Sequence, residues 1–286
     1  MSENENCCAP SCCDETQSDT AAKNNTFRES VREKYAKVAN AVTEDDCDAP
    51  AASCCGTSDD EAINTLISTR LGYSQAELNA VPSGADMGLG CGNPQAIAAL
   101  KAGETVVDLG SGGGFDCFLA SPEVGETGRV IGIDMTPDMI SKARNNASTG
   151  KFSNVEFRLG EIEHLPVSDN SVDVIISNCV INLSPDKGQV FKEAYRILKS
   201  GGRLAISDVV ATIELPEEMR NDPLLIAGCM GNAALIDDLK NDLEAAGFRD
   251  IAIQPKDSSK EFIQDWAPGI GVENYVVAAT IEAVKR

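Results

Sequence analysis

The sequence is short of basic residues and of histidine. It has 24 lysines and arginines against 45 aspartates and glutamates, which gives a net charge of −21, and its one histidine is His164. A surface this acidic repels a phosphate backbone and has few cations with which to replace its counterions. We therefore expect neither nucleic acid nor an anionic membrane as a partner.

Long apolar runs are also missing. No window approaches the ~18 consecutive apolar residues of a membrane span, and no basic segment followed by an apolar one opens the chain. We therefore expect a cytoplasmic protein. In that compartment its 11 cysteines are predicted to be reduced thiols used in metal or redox chemistry, and not a disulfide framework.

Composition divides the chain into segments. Residues 1–26 are polar and rich in cysteine, so we predict a disordered tail. Residues 27–100 combine apolar residues at helical spacing with a loop that contains further cysteines, and they are predicted to form a helical arm. Residues 101–212 alternate short apolar strands with helical stretches, which predicts an α/β core with a doubly wound, mostly parallel sheet.

The segment DLGSGGGFD, which starts at Asp108, is the most informative motif. Gly110, Ser111 and Gly112 begin a turn between a strand and a helix, where the backbone can approach a ligand closely. A dinucleotide-binding loop would need glycine at the position of Phe115. The Asp108 carboxylate would repel a pyrophosphate group but attract an ammonium or sulfonium group.

A second acid, Asp134, ends the next strand, where it can accept hydrogen bonds from both hydroxyls of a ribose. Two carboxylates and a glycine loop fit a cationic nucleoside without phosphates, so the predicted cofactor is S-adenosylmethionine. Met135 is predicted to pack on the adenine face. Glu161 and the Ile162 amide follow the third strand and are predicted to meet the adenine amino group and a ring nitrogen.

The sequence resembles the arsenite methyltransferases, a branch of the class I S-adenosylmethionine-dependent methyltransferases, in the segments VVDLGSGGGFDCFLA, GRVIGIDMTPDMISKAR, NVEFRLGEIEHLP, VDVIISNCVINLSPDK and EAYRILKSGGRLAISDVV. The resemblance covers about residues 27–250. It implies a Rossmann-like sheet of seven strands, with residues 213–286 forming an acceptor lid and the last strands. It also implies methyl transfer to trivalent arsenic in arsenic detoxification.

Cys179 stands at the carboxyl end of the predicted fourth strand, where open α/β sheets bind ligands. Asn178 precedes it and is predicted to contact the cofactor. A hard nucleophile such as an alcohol would need a base, and the only histidine, His164, lies in another loop. Trivalent arsenic has a lone pair, needs no base, and as a soft atom favours thiolates.

The resemblance implies that Cys179 and Cys229 bind arsenic, with Cys55 or Cys54 of the N-terminal loop as the third thiolate. Cys91 is predicted to be a structural thiol, with a redox or transient ligand role as the alternative. Arsenic formally loses two electrons when it gains a methyl group. We therefore expect thioredoxin or another dithiol as a reducing partner.

Two other functions remain open at this point. The protein could methylate a small organic acceptor, in which case its cysteines are incidental. It could instead sequester arsenite or another thiophilic metal without turnover. The paired cysteines at positions 7, 8, 12 and 13 either bind soft metals in this way or have no function.

Overall fold

A computed structural model describes residues 15–40 and 57–286 of the protein. Seven strands form one sheet in the order β3-β2-β1-β4-β5-β7-β6. The strands are β1 (Thr105–Leu109), β2 (Arg129–Asp134), β3 (Val155–Leu159), β4 (Val172–Asn178), β5 (Leu198–Ala211), β6 (Arg249–Lys256) and β7 (Val276–Val284). All neighbours pair in parallel except β7, which runs antiparallel to β5 and β6. The predicted doubly wound, mostly parallel sheet is therefore confirmed.

Helices cover both faces of this sheet. They are α1 (Glu15–Asn40), α2 (Thr57–Arg70), α3 (Gln75–Ala80), α4 (Gln95–Ala98), α5 (Phe115–Val124), α6 (Pro137–Gly150), α7 (Lys187–Ile197), α8 (Glu217–Arg220), α9 (Pro223–Ala227), α10 (Ile236–Ala246) and α11 (Lys260–Trp266). Within the described residues, no helix is long and apolar enough to cross a membrane.

The central strands are apolar on both faces because each face packs against helices. Side chains alternate along a strand, so Val107 of β1 and Ile175 of β4 pack on the α7 side with Phe191. Val106 points the other way and packs with Phe118 of α5. Burial on both faces is what makes these strands read as continuous apolar runs in the sequence.

The strand register brings the predicted site residues to one edge of the sheet. Leu109 of β1 pairs with Ile133 of β2 and with Ser177 of β4, and Asn178 pairs with Ser207 of β5. The glycine loop and the residues that follow β4 therefore leave the sheet side by side. This is the carboxyl edge, where ligands bind in open α/β folds.

Helix α1 begins further toward the N-terminus than the sequence predicted. It starts at Glu15, so the prediction of disorder for residues 1–26 is wrong for residues 15–26. Local contacts one turn apart support this part of the helix, because Asn25 donates a hydrogen bond to Glu29 at 2.7 Å and Thr26 donates to a main-chain oxygen one turn earlier at 3.1 Å. Residues 1–14 lie outside the described residues.

An ion pair anchors α1 to the core. The Arg28 guanidinium lies 3.0 Å from the Glu163 carboxylate, and both side chains are largely buried. Arg28→Ala leaves that carboxylate without its cation, and we expect a loss of roughly 3 kcal/mol in unfolding free energy, as is usual for breaking a buried pair. Chemical denaturation measures it.

The matched control is Arg286→Ala. Its pair with Asp250 is exposed on both sides and should contribute little. Equal losses in the two variants would contradict the anchoring role of Arg28.

Candidate active site

A deep cleft opens at the carboxyl edge of β1, β2 and β4, with about 1060 Å³ of empty space including the part open to solvent. Most of the residues predicted to bind the cofactor line it. They are Asp108, Gly110, Ser111, Gly112, Asp134, Met135, Ile162 and Asn178, and Cys179 lines it as well. We call this the first cleft.

The glycine loop packs tightly against the turn after β4. Gly110 has φ +69°, and a Cβ atom there would lie 2.4 Å from the Val180 side chain, so a larger residue cannot be accommodated. The Gly110 amide donates to the main-chain oxygen of Ile133 at 2.7 Å. The loop therefore joins the strand ends of β1 and β2 to the segment that carries Cys179.

Ser111 contributes an unpaired polar atom to the first cleft. Its hydroxyl oxygen is buried and has no hydrogen-bond partner among the described residues. A buried hydroxyl without a partner is costly, and because this atom packs against Gly132 of β2, it reaches a ligand in the cleft after rotation of the Ser111 side chain.

Asp134 is held with one hydrogen bond on each carboxylate oxygen. Oδ2 accepts from the Gly112 amide at 3.0 Å, and Oδ1 accepts from the Thr136 amide at 2.8 Å. Burial raises the pKa of Asp134 above its usual value. The Thr136 side chain bonds to this carboxylate as well, and since a carboxylate has about four acceptor positions, one remains for a hydroxyl of a ligand.

Asp108 and Asp116 form a pair of buried carboxyl groups that the sequence analysis recognised only in part. Burial and the neighbouring Asp116 charge raise the pKa of Asp108 well above its usual value. Burial also raises the pKa of Asp116 to about 6, although Tyr73 donates a hydrogen bond to Asp116 at 2.8 Å. A cationic ligand would relieve this unfavourable burial of negative charge.

Glu161 does not line the first cleft. Its carboxylate instead makes ion pairs with Arg28 at 3.5 Å and Arg32 at 3.3 Å, both on α1. Glu163 lines the cleft in its place and accepts a hydrogen bond from Ser184 at 2.7 Å. The contact between Glu161 and adenine therefore stays a prediction.

Cys179 and Cys229 meet at the end of β4. The Cys229 thiol donates a hydrogen bond to the main-chain oxygen of Cys179 at 2.7 Å. Both residues have left-handed backbones, with φ +61° for Cys179 and +63° for Cys229. Non-glycine residues rarely adopt this conformation, and where they do it is often part of a functional site.

Cys91 joins the same group of thiols. Its sulfur, the Cys179 sulfur and a carboxylate oxygen of Asp208 all lie within 4.8 Å of one another. Cys91, Cys179 and Cys229 are all buried, and we call them the thiol cluster. The sequence analysis favoured a structural role for Cys91 and did not place it beside Cys179.

The signal that could have identified Cys91 is the glycine on each side of it. A Cβ atom at Gly90 would lie 2.6 Å from the Asn178 side chain, and one at Gly92 would lie 2.9 Å from the Ser207 hydroxyl. Both positions need glycine because the loop presses directly on the ends of β4 and β5. The two glycines of the Gly-Cys-Gly segment thus let the Cys91 loop lie close to the side chains of Asn178 and Ser207.

Asn178 fixes this loop to β4. Its Oδ1 accepts from the Cys91 amide at 3.0 Å, and its Nδ2 donates to the Gly92 oxygen at 2.8 Å and the Tyr73 hydroxyl at 3.0 Å. Asn178 therefore positions Cys91, whereas its predicted contact with the cofactor stays a prediction.

The surroundings of the thiols disfavour their ionised form. Burial raises the pKa of Cys91, and the hydrogen bond to Cys179 together with burial raises the pKa of Cys229 well above its ordinary value. The cluster is buried, so a soft, positively charged centre that replaces the thiol protons fits it well.

A second cleft approaches the thiol cluster from the side of α1, α9 and α11. It is lined by both Cys179 and Cys229, and its apolar walls are Val38, Leu89, Leu224, Met230 and Trp266. Tyr35 lines both clefts and donates a hydrogen bond to the main-chain oxygen of Ala227 at 3.4 Å. Cys179 therefore lies between the two clefts. Cys54 and Cys55, the predicted third ligands, lie outside the described residues.

The fold and the first cleft define a Rossmann-like methyltransferase of class I. A family model described as a methyltransferase domain matches residues 100–247. A crystal structure of an arsenic(III) S-adenosylmethionine methyltransferase from Chlamydomonas reinhardtii is 32% identical, with a TM-score of 0.58, and the alignment covers 77% of this chain and 73% of that one.

Two curated relatives are named arsenite methyltransferase. The one from Halobacterium salinarum is 53% identical over 90% of this chain and 66% of its own length. The one from Homo sapiens is 45% identical over 50% of this chain and 40% of its own length. The chain thus spans just under two thirds of the length of the Halobacterium salinarum relative and less than half of the length of the human one. It belongs to the methyltransferase-domain family, within the branch of the arsenite methyltransferases.

Asp116 should make the stability of the ligand-free protein depend on pH. Burial raises the pKa of Asp116 from 3.8 to about 6, so the folded protein holds this proton more tightly than the unfolded chain does. The resulting contribution to stability is present at low pH and is lost as the pH rises through about 6. We expect the melting temperature of the parent to fall relative to that of Asp116→Asn between about pH 4 and pH 7. Thermal unfolding across this range measures the difference.

Tyr73→Phe provides the second arm of this experiment. It removes a hydroxyl that lowers the pKa of Asp116, so the loss of stability should move to higher pH. A difference between parent and Asp116→Asn that does not change with pH would contradict the assignment.

Proposed function

We propose that the protein is an arsenite methyltransferase that transfers methyl groups from S-adenosylmethionine to trivalent arsenic bound by cysteine thiolates. The observation that carries this proposal is the position of Cys179, which lines both clefts. One cleft has the acids and the glycine loop suited to a cationic nucleoside, and the other ends on thiols. A soft acceptor on Cys179 would therefore lie next to the cofactor.

The residues of the first cleft fit S-adenosylmethionine. When bound, this cofactor supplies a methyl group on a positively charged sulfur. Asp108 and Asp116 provide negative charge for its cationic groups, and the remaining acceptor capacity of Asp134 suits the ribose hydroxyls. Ser111 offers its unpaired hydroxyl. Met135 and Ile162 are apolar surfaces for adenine in the same cleft.

The arsenic site follows from the thiol cluster. Cys179 and Cys229 are the first two ligands: Cys179 lines both clefts, and Cys229 lines the second one beside it. Cys91 is the described thiol that can complete a set of three. Cys55 or Cys54, the third ligand predicted from the sequence, stays in the proposal as a thiol of the N-terminal loop.

The protein's thiols can also balance the electrons of the reaction. An arsenic atom that gains a methyl cation through its lone pair becomes formally pentavalent, so two electrons must return before a trivalent product leaves. Two thiolates supply them by forming a disulfide between Cys54 or Cys55 and a member of the thiol cluster. An external dithiol such as thioredoxin then reduces this bond by exchange.

The test incubates the protein with arsenite, methyl-labelled S-adenosylmethionine and a dithiol, and then separates the arsenic species. We expect Cys179→Ser and Cys229→Ser each to reduce methylation at least a hundredfold, because a hydroxyl keeps the size of the thiol but not its softness. Calorimetry should find the affinity for S-adenosylmethionine nearly unchanged in both variants.

Cys12→Ser is the matched control, because it removes a thiol from the N-terminal tail and should keep the parent rate. Methylation of arsenite at the parent rate by either cluster variant would show that the cluster is not the acceptor site. Absence of methylated arsenic with the parent protein would reject the proposed function itself.

A further inference from the structure

A buried carboxylate, Asp208, lies beside the thiol cluster as a possible fourth donor, whereas trivalent arsenic forms only three bonds. One oxygen of Asp208 lies within 4.8 Å of the Cys91 and Cys179 sulfurs, and all three residues are buried. The Cys229 thiol reaches the main chain of Cys179 at 2.7 Å. Two sulfurs and one oxygen therefore surround a single point beside the end of β4, and the Cys229 sulfur lies next to this group.

Hydrogen bonds hold the Asp208 carboxylate in this position. Oδ1 accepts from Asn182 at 3.0 Å and from the Val209 amide at 2.7 Å, and Oδ2 accepts from the Ile181 amide at 2.8 Å. The carboxylate is thus held rigidly beside the thiols, and an ion that binds it replaces one of these hydrogen bonds. A preorganised donor of this kind loses little entropy when it binds an ion.

The electrostatic surroundings favour a cation. Burial raises the pKa of Asp208 to about 6, and the Lys187 cation offsets this only in part. Ionised thiols would add further negative charge to a buried volume. A divalent cation would neutralise much of it, because Lys187 alone carries a single charge.

Coordination number separates arsenic from such a cation. Trivalent arsenic forms three bonds and keeps a lone pair, so a carboxylate as fourth donor has no bond to make. Zinc and cadmium ions prefer four donors in a tetrahedron and accept thiolate and carboxylate together. Donors around zinc lie about 3.8 Å apart. The separations of up to 4.8 Å among Cys91, Cys179 and Asp208 therefore close with a movement of about 1 Å, and the Cys229 sulfur completes the set by turning away from the main-chain oxygen of Cys179.

We propose that Cys91, Cys179, Cys229 and Asp208 form a tetrahedral site for a divalent thiophilic cation such as zinc or cadmium. The ion occupies the sulfurs at the junction of the two clefts and therefore excludes arsenic from them. Binding of the cation and binding of arsenite are mutually exclusive, which makes such ions competitive inhibitors of any reaction at this position.

The experiment uses cobalt(II) as a spectroscopic probe of the reduced, full-length chain. The cysteines outside the described residues would bind cobalt too and are replaced by serine: Cys7, Cys8, Cys12, Cys13, Cys47, Cys54 and Cys55. We expect one cobalt ion per chain, with the intense visible bands of tetrahedral geometry and a sulfur-to-cobalt charge-transfer band. One equivalent of arsenite should abolish both.

Asp208→Asn should weaken cobalt binding at least tenfold. The matched control is Asp242→Asn, which removes another carboxylate near Lys187 and should leave the affinity within a factor of two. Cys91→Ser keeps the Asp208 hydrogen bonds and should lower the charge-transfer intensity by about a third. If Asp208→Asn does not fold, X-ray absorption at the zinc edge of the zinc-loaded parent protein tests the same ligand. A zinc coordination shell without an oxygen donor would overturn the proposal.

An octahedral cobalt spectrum, or equal affinity in the parent and Asp208→Asn, would also overturn it. These outcomes are independent of the proposed function, which the methylation assay tests separately. If the protein methylates arsenite but gives no tetrahedral cobalt spectrum, the proposed function stands and the cation site is rejected. If it gives the tetrahedral cobalt spectrum but does not methylate arsenite, the cation site stands and the proposed function is rejected.

Discussion

The left-handed turn at Cys179 is the constraint on which the whole site depends. A non-glycine residue in this conformation costs of order 1–3 kcal/mol, so the surroundings must stabilise it. The Cys179 amide donates to the Ser207 oxygen at 2.8 Å, and the Ile181 amide donates to Asp208. The turn ends β4 abruptly and leaves the Cys179 side chain between the two clefts. An ordinary extended residue would continue the strand.

A second theme is the burial of acidic groups at the point where the ligands bind. Asp108 and Asp116 have raised pKa values because they are desolvated, and Asp208 does too. Such an arrangement reduces the stability of the empty protein and favours ligands that bring positive charge. Stability and function are therefore coupled, since a bound cationic ligand removes the free-energy cost of burying these carboxylates in the ligand-free protein.

The sequence predicted those features that depend on local patterns. The buried strand before Asn178, the glycine loop after Asp108 and the acid at the end of β2 follow from alternation, turn chemistry and strand order. Cys91 could not be placed in this way, because a hydrogen bond from its main-chain amide to the side chain of Asn178, 87 residues away in the sequence, brings it to the site. Glu161 was assigned from its position after β3, but α1 supplies arginines that occupy its carboxylate. Such contacts between distant segments leave no periodic signal.

The central claim is that thiols at the end of β4 bind trivalent arsenic. X-ray absorption at the arsenic edge tests it most directly, on arsenite-loaded protein in which serine replaces Cys7, Cys8, Cys12, Cys13 and Cys47. We expect a shell of three sulfur atoms in this protein and one fewer in its Cys179→Ser variant. A shell of oxygen atoms, or one that Cys179→Ser and Cys229→Ser leave unchanged, would contradict the claim.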